Sequence, residues 1–339
     1  MWQVGMWLQS LQDIGEDDKA HVLLYKPIGK KVSQGWIDLS VMYPKAKFAV
    51  FEENELNKLI GIYIPIIRPA ILEKYFRQNP SLKDKAIFYC DCDVLFTRKP
   101  DVAKFLDDEI CYLSDTNSYI NSDYIIGKAR DVLPEKVEAF KNEDVLQDMC
   151  DIVGISKDLP LKYNRDSGGA QYLLKNIDAD FWKKVKDDCI SLHVHLNNIN
   201  KKYFASTDRG YQSWCADMWS VLYNIWLRGM DTKVVPEMRF AWSTDKKEIL
   251  GVVSILHNAG ITHESAISAW KEDENGKHVQ VKAPAFYKGR YHTGKSPYKD
   301  VEYLQSILDN EITKQYCTHY YTEYLIKQKE KLCQIVEKN

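Results

Sequence analysis

The stretch 86–96, AIFYCDCDVLF, places two carboxylates, Asp91 and Asp93, one residue apart at the end of an apolar run. Side chains on a strand alternate faces, so Asp91 and Asp93 share one side and Cys90 and Cys92 take the other. Two carboxylates so placed repel each other unless a cation or a donor stands between them. With IFYC before and VLF after, burying them unpaired is costly. The spacing points to a divalent metal held by Asp-x-Asp, against a solvated strand-to-turn junction, where aspartate is common.

Three other places carry chemistry. Gly168 and Gly169 lie in NRDSGGAQYLLKNIDADFWKKVKDD, from residue 164, before what reads as an apolar helix start. Such a pair either leaves backbone amides open toward a ligand or makes a tight turn. Asp217 sits within 212–230, QSWCADMWSVLYNIWLRGM, an apolar helix in which an acid needs a partner. The run 251–263, GVVSILHNAGITH, reads as a buried strand ending at His257, either a metal ligand or a satisfied structural imidazole.

Two look-alikes compete with the metal reading. GRYHTGKS, 289–296, matches the phosphate-loop pattern, but such a loop leaves a buried strand and is followed by more sheet. Here a helical tail follows, although Lys288, Arg290 and Lys295 in this loop could meet phosphate. The string Asp91-Cys92-Asp93-Val94-Leu95 also approaches the haloacid-dehalogenase signature, in which Asp91 would be the nucleophile of a phosphatase. Leu95 stands where Thr or Val is expected, and Asp107–Asp108 and Asp187–Asp188 make no convincing later acidic pair.

The elements that must position these groups follow from the pattern along the chain. Residues 1–15 suggest an amphipathic helix with a Gly stop. Strand-like runs occur at 21–26, 47–52 and 110–115, and 64–76 reads as an extended stretch and then a helix with Pro69 in its first turn. Strands alternating with helices imply a mostly parallel, covered sheet, with ligands at the carboxyl ends of strands. Helical character dominates beyond residue 130, and 297–339 forms a helical annex to a catalytic unit spanning 1–296.

Composition narrows the classes. The 339 residues are 45% hydrophobic, ample for a sizeable core. Nine Trp and 21 Tyr exceed what packing usually asks for, and such rings often line sugar or nucleoside pockets. A carbohydrate-binding module using that surface is the non-enzymatic rival. A formal charge of −2 supplies no global field toward nucleic acid. The eight Cys show no framework spacing and read as reduced thiols. With no long apolar span and no signal peptide, a cytoplasmic protein of bacterial, viral or phage type is expected.

Taken together, an apolar strand ending in Asp-x-Asp, a Ser-Gly-Gly segment, an acid in a Trp-rich helix and a late strand ending in His resemble the GT-A fold glycosyltransferases. The order, over roughly residues 45–300, is similar to that of the family 8 retaining enzymes, and IIRPAILEKYF resembles a stretch of the hydroxyproline arabinosyltransferases. The resemblance implies a metal-dependent transfer from a nucleoside diphosphate sugar, with a UDP-sugar the expected donor, to a hydroxyl acceptor, a glycan or a phage-type modified DNA base. It implies Asp93 as a direct metal ligand, Asp91 on the metal or the ribose, and His257 as the nitrogen ligand. Carboxylate and imidazole together suit Mn²⁺ better than Mg²⁺. Arg68 and Lys288 are then the nucleotide or diphosphate contacts. Ser167, Gly168, Gly169 and Gln171 bind the donor sugar, and Gln171 and Asp217 stand at the reaction centre, Asp217 orienting the sugar or acting as base. Two departures accompany it. The usual first nucleotide-binding strand is missing ahead of Met1 or supplied in some other way, and the loop YKGRYHTGKSPY leaves His292 as a second candidate ligand.

Overall fold

The computed structural model describes residues 1–53, 56–259, 263–272, 274–292 and 295–336. Helix α1 (Trp2–Asp13) ends before Gly15, whose φ of +73° is the left-handed stop that glycine adopts freely. The runs HVLLYK and KFAVFE form β1 (His21–Lys26) and β2 (Lys47–Glu52), paired in parallel with His21 opposite Lys47. Helix α2 (Gln34–Met42) makes the crossover between them. The segment Ile64–Ile66 is a 3-10 turn rather than extended, and α3 (Ile67–Gln78) follows with Pro69 in its first turn.

The central run does not make one strand. It forms β3 (Ile87–Cys90), turns at 91–93, and resumes as β4 (Val94–Phe96) in a different sheet. Later strands are β5 (Cys111–Leu113), β6 (Gln171–Leu174), β7 (Thr232–Val234), β8 (Phe240–Trp242) and β9 (Ile255–His257). One sheet runs β3-β6-β5-β7 and another β4-β9-β8. A hairpin of β10 (Ile267–Glu272) and β11 (His278–Ala283) was not legible in the sequence.

The molecule is therefore α/β, but its sheets are small and mixed rather than mostly parallel. Pairs β1–β2, β5–β7 and β8–β9 are parallel, whereas β3–β6, β5–β6, β4–β9 and β10–β11 are antiparallel. Much of the difference comes from β6. Gly168–Gly169 opens a strand, not a helix, and that strand inserts antiparallel between β3 and β5. A short buried apolar run such as QYLL has no period that separates strand from helix.

Helix α4 (Val145–Val153) is followed by the long α5 (Ala179–Tyr203), whose first turn is capped by Asp178 accepting from the Phe181 amide at 2.9 Å. Phe181, Val185, Cys189, Leu192 and Leu196 recur at helical spacing and bury against α3 and α6 (Ala216–Leu227). Helices α7 (Val301–Leu308), α8 (Cys317–Lys327) and α9 (Lys329–Val336) close over α1 and β4 through Leu304, Tyr321, Leu325 and Leu332. Two large apolar cores result, and β1 and β3 face both. Leu23, Tyr25, Ile87 and Tyr89 turn to the core of α3, α5 and α6, while Val22, Leu24, Phe88 and Cys90 turn to that of α1, β4 and β9. Among the described residues, no helix is long and apolar enough to cross a membrane.

Candidate functional site

The turn between β3 and β4 carries Asp91 and Asp93 to the junction of the two sheets. Strand β9 lies antiparallel to β4 with His257 opposite Val94, which brings the imidazole beside the turn. Ligand atoms of Asp91, Asp93 and His257 all lie within 4.8 Å of one another. His257 Nε2 is 3.2 Å from Asp93 Oδ1 and 3.8 Å from Asp91 Oδ2. Its ring stacks on Trp242 with centroids 5.7 Å apart and meets the edge of Phe240, so its direction is held by packing.

Two cations flank the acids. Arg68, in the first turn of α3, reaches Asp91 Oδ1 at 2.5 Å and Asp217 Oδ2 at 3.4 Å. Lys288 donates to Asp93 Oδ2. Asp93 is only 6% exposed, and its Oδ1 accepts no hydrogen bond although it is buried. Burial opposes ionisation of Asp93, but His257 and Lys288 outweigh it and hold the carboxyl well below the usual range. An ionised, buried oxygen that makes no aligned hydrogen bond, beside a second carboxylate and an imidazole, belongs to a donor set that fits a divalent cation.

Gln171 and Asp217 stand behind these groups. Gln171 Nε2 lies 3.4 Å from His257 Nδ1, and its Oε1 has no partner. Asp217 is in the first turn of α6, not in the middle of a helix, because Ser213–Cys215 is a separate 3-10 turn. Tyr63 donates to Asp217 Oδ1 at 2.8 Å and accepts from its backbone amide at 3.0 Å. Burial raises the Asp217 pKa, and Arg68 and Tyr63 offset this only in part.

The Ser-Gly-Gly segment is internally satisfied. Ser167 donates to the Tyr163 carbonyl at 2.8 Å, and the Gly169 amide donates to the Ser114 carbonyl at 3.2 Å rather than opening toward a ligand. A Cβ on Gly168 would collide with that same Ser114 oxygen, and one on Gly169 with the Tyr172 hydroxyl, so close packing requires both glycines. His292 is exposed and turned onto the Gly289 carbonyl, outside the Asp91–Asp93–His257 group. Of the phosphate-loop look-alike, Thr293 and Gly294 lie outside the described residues. Lys288–Tyr291 is a 3-10 turn, and Arg290 is held by Glu264 at 2.6 Å and Asp300 at 3.1 Å. Asp108 and Asp188 are engaged by Lys175 and Lys184.

No disulfide joins any of the cysteines among the described residues; Cys92 is exposed rather than packed. A cleft of about 1940 Å³ is lined by Arg68, Asp91, Asp93, His257 and Lys288, whereas Gln171, Asp217 and the Ser-Gly-Gly residues do not line it. Tyr119 and Trp214 do line it, their rings stacked at 6.4 Å. Trp214 was legible only as part of the Trp-rich helix around Asp217, and Tyr119 and Tyr63 carried no signal beyond the abundance of aromatic residues. No family model matches the sequence, and neither a curated protein nor a solved structure matches the chain.

Proposed function

We propose that the protein is a glycosyltransferase that binds a divalent cation, Mn²⁺ in preference to Mg²⁺, at Asp91, Asp93 and His257 and takes a nucleoside diphosphate sugar as donor. The observation that carries this reading is the convergence of those three ligands on one wall of the cleft, between Arg68 and Lys288. Held by Asp91, Asp93 and His257, a divalent cation would supply positive charge to stabilise a departing diphosphate. Arg68 and Lys288 now neutralise the acids; with the acids engaged elsewhere, both cations are free to hold phosphate oxygens. Asp217 and Tyr63 keep Arg68 in place, and Gln171 orients His257. The Tyr119–Trp214 pair offers a flat apolar surface to a base or sugar ring. The acceptor is a hydroxyl of a glycan or of a modified DNA base.

Thermal unfolding with a panel of nucleotides and nucleotide sugars, with Mn²⁺ or with chelator, tests the reading, since a ligand of the native state raises stability. One nucleoside diphosphate should shift the transition only with Mn²⁺, and its sugar form should turn over. Equal shifts in excess chelator would remove the metal, and trapping of Asp91 by beryllium fluoride would mean a phosphatase instead.

A further inference from the structure

The cleft is larger than one ligand needs, since ligand pockets run to about 1000 Å³, and its second half has a different lining. Consecutive residues 21–25 of β1 and 86–90 of the β3 segment all border it. A cavity against the face of a strand meets every second side chain; one that meets successive residues lies along the strand edge. β1 is paired on one edge with β2, and β3 on one edge with β6. Among the described residues, neither has a backbone partner on the other edge. The two unpaired edges therefore front the same cleft. Apart from the buried Val22, their apolar side chains stay half-buried, all four of β3 among them. Long apolar edges left open are pairing and aggregation sites.

We propose that this cleft is a strand-binding slot, filled by an extended apolar segment on the polypeptide leading into Trp2, which joins β1 and β3 into one continuous sheet. Its chemistry follows from its walls. Both strands present alternate side chains to the two cores, so a strand between them buries both faces and is Val, Ile and Leu-rich throughout. The source follows from α1, which begins at the slot: Met1, Val4, Trp7 and Leu11 line it, and the Met1 amine lies near Cys92. A strand that enters α1 and returns through β1 in the same sheet is a strand–helix–strand unit, so it runs parallel to β1, and its end at α1 lies beside Asp91–Asp93. The unpaired edges, rather than the residue at which the sequence opens, require this strand.

The test is amide hydrogen exchange on the 339-residue chain and on the same chain carrying a six-residue Val/Ile extension fused to Met1. Main-chain pairing tolerates sequence, so a designed strand suffices. A control extension has proline at alternate positions and cannot donate. The Val/Ile extension should slow exchange in both 21–26 and 87–90 by about tenfold or more, the scale of a newly paired edge, and the proline form should not. If the extended chain aggregates, the same strand offered as a blocked peptide at millimolar concentration gives the same reading. Unchanged exchange at both strands, or at either one, overturns the slot. Protection of the unextended chain that grows with its concentration would make a second copy the occupant and overturn the source.

Discussion

Gln171 Nε2 stands 3.4 Å from His257 Nδ1, while the Oε1 of the same amide is buried with no partner. In that arrangement the imidazole proton sits on Nε2, facing the carboxylates. Turning the amide end for end lets Oε1 accept from Nδ1–H, which frees Nε2 to bind a cation and satisfies the orphan oxygen. Gln171 with its amide so turned therefore selects the tautomer that can ligate.

Replacing Gln171 by Met should weaken Mn²⁺ binding by about 10- to 100-fold, the range for partners of metal-bound histidines. His257→Ala should lose binding outright and His292→Ala should keep it. A Mn²⁺ titration by electron spin resonance reads all three, and an effect of His292→Ala equal to that of His257→Ala would move the ligand to the loop.

Lys288 neutralises Asp93 from 195 residues away in sequence. Its ammonium competes with any cation for that carboxylate. Lys288→Met should tighten Mn²⁺ binding in the absence of nucleotide and weaken nucleoside diphosphate binding in its presence. Calorimetric titrations that show both affinities moving together would refute a dual role for this side chain.

Asp217 and Asp93 should differ in sign when each is changed to Asn. The folded state holds the Asp217 proton more tightly than the unfolded chain does, so ionised Asp217 costs stability at neutral pH, a cost that vanishes below the unfolded value of about 4. Asp93 is held low, so its contribution is present above about 4 and fades as the pH falls toward its folded value. In metal-free protein at pH 7, Asp217→Asn should raise the melting temperature and Asp93→Asn should lower it. Because Asp217 anchors Arg68, Asp217→Asn should also reduce kcat by about 10²-fold, the scale of a lost charge or acid–base contribution. Asp217→Asn with a higher melting temperature and unchanged kcat would leave Asp217 purely structural.

Trp214 is 52% exposed and stacks on Tyr119 in the cleft. Trp214→Ala should leave the melting temperature nearly unchanged and raise KM for donor or acceptor by roughly tenfold, as expected for an aromatic contact of about 1 kcal/mol or somewhat more. Steady-state kinetics with each substrate varied in turn identifies which ring it meets.

The sequence by itself determined the local features. Apolar runs marked β1 and β2 to the residue, and Gly15 marked the end of α1. Asp91, Asp93 and His257 were legible because each ends an apolar run, where a polar side chain needs a reason to be. Tertiary structure decided how those runs pair and which charges meet. One apolar run of eleven residues became two strands in two sheets, because β6 and β9 offered separate antiparallel partners. Arg68, Gln171 and Lys288 reach the acids and His257 from remote elements, and nothing in their local patterns says which partner each takes. Alternation and propensity act over a few residues; strand direction, the shared slot beside β3 and the neutralisation of Asp93 are set by contacts across the whole chain.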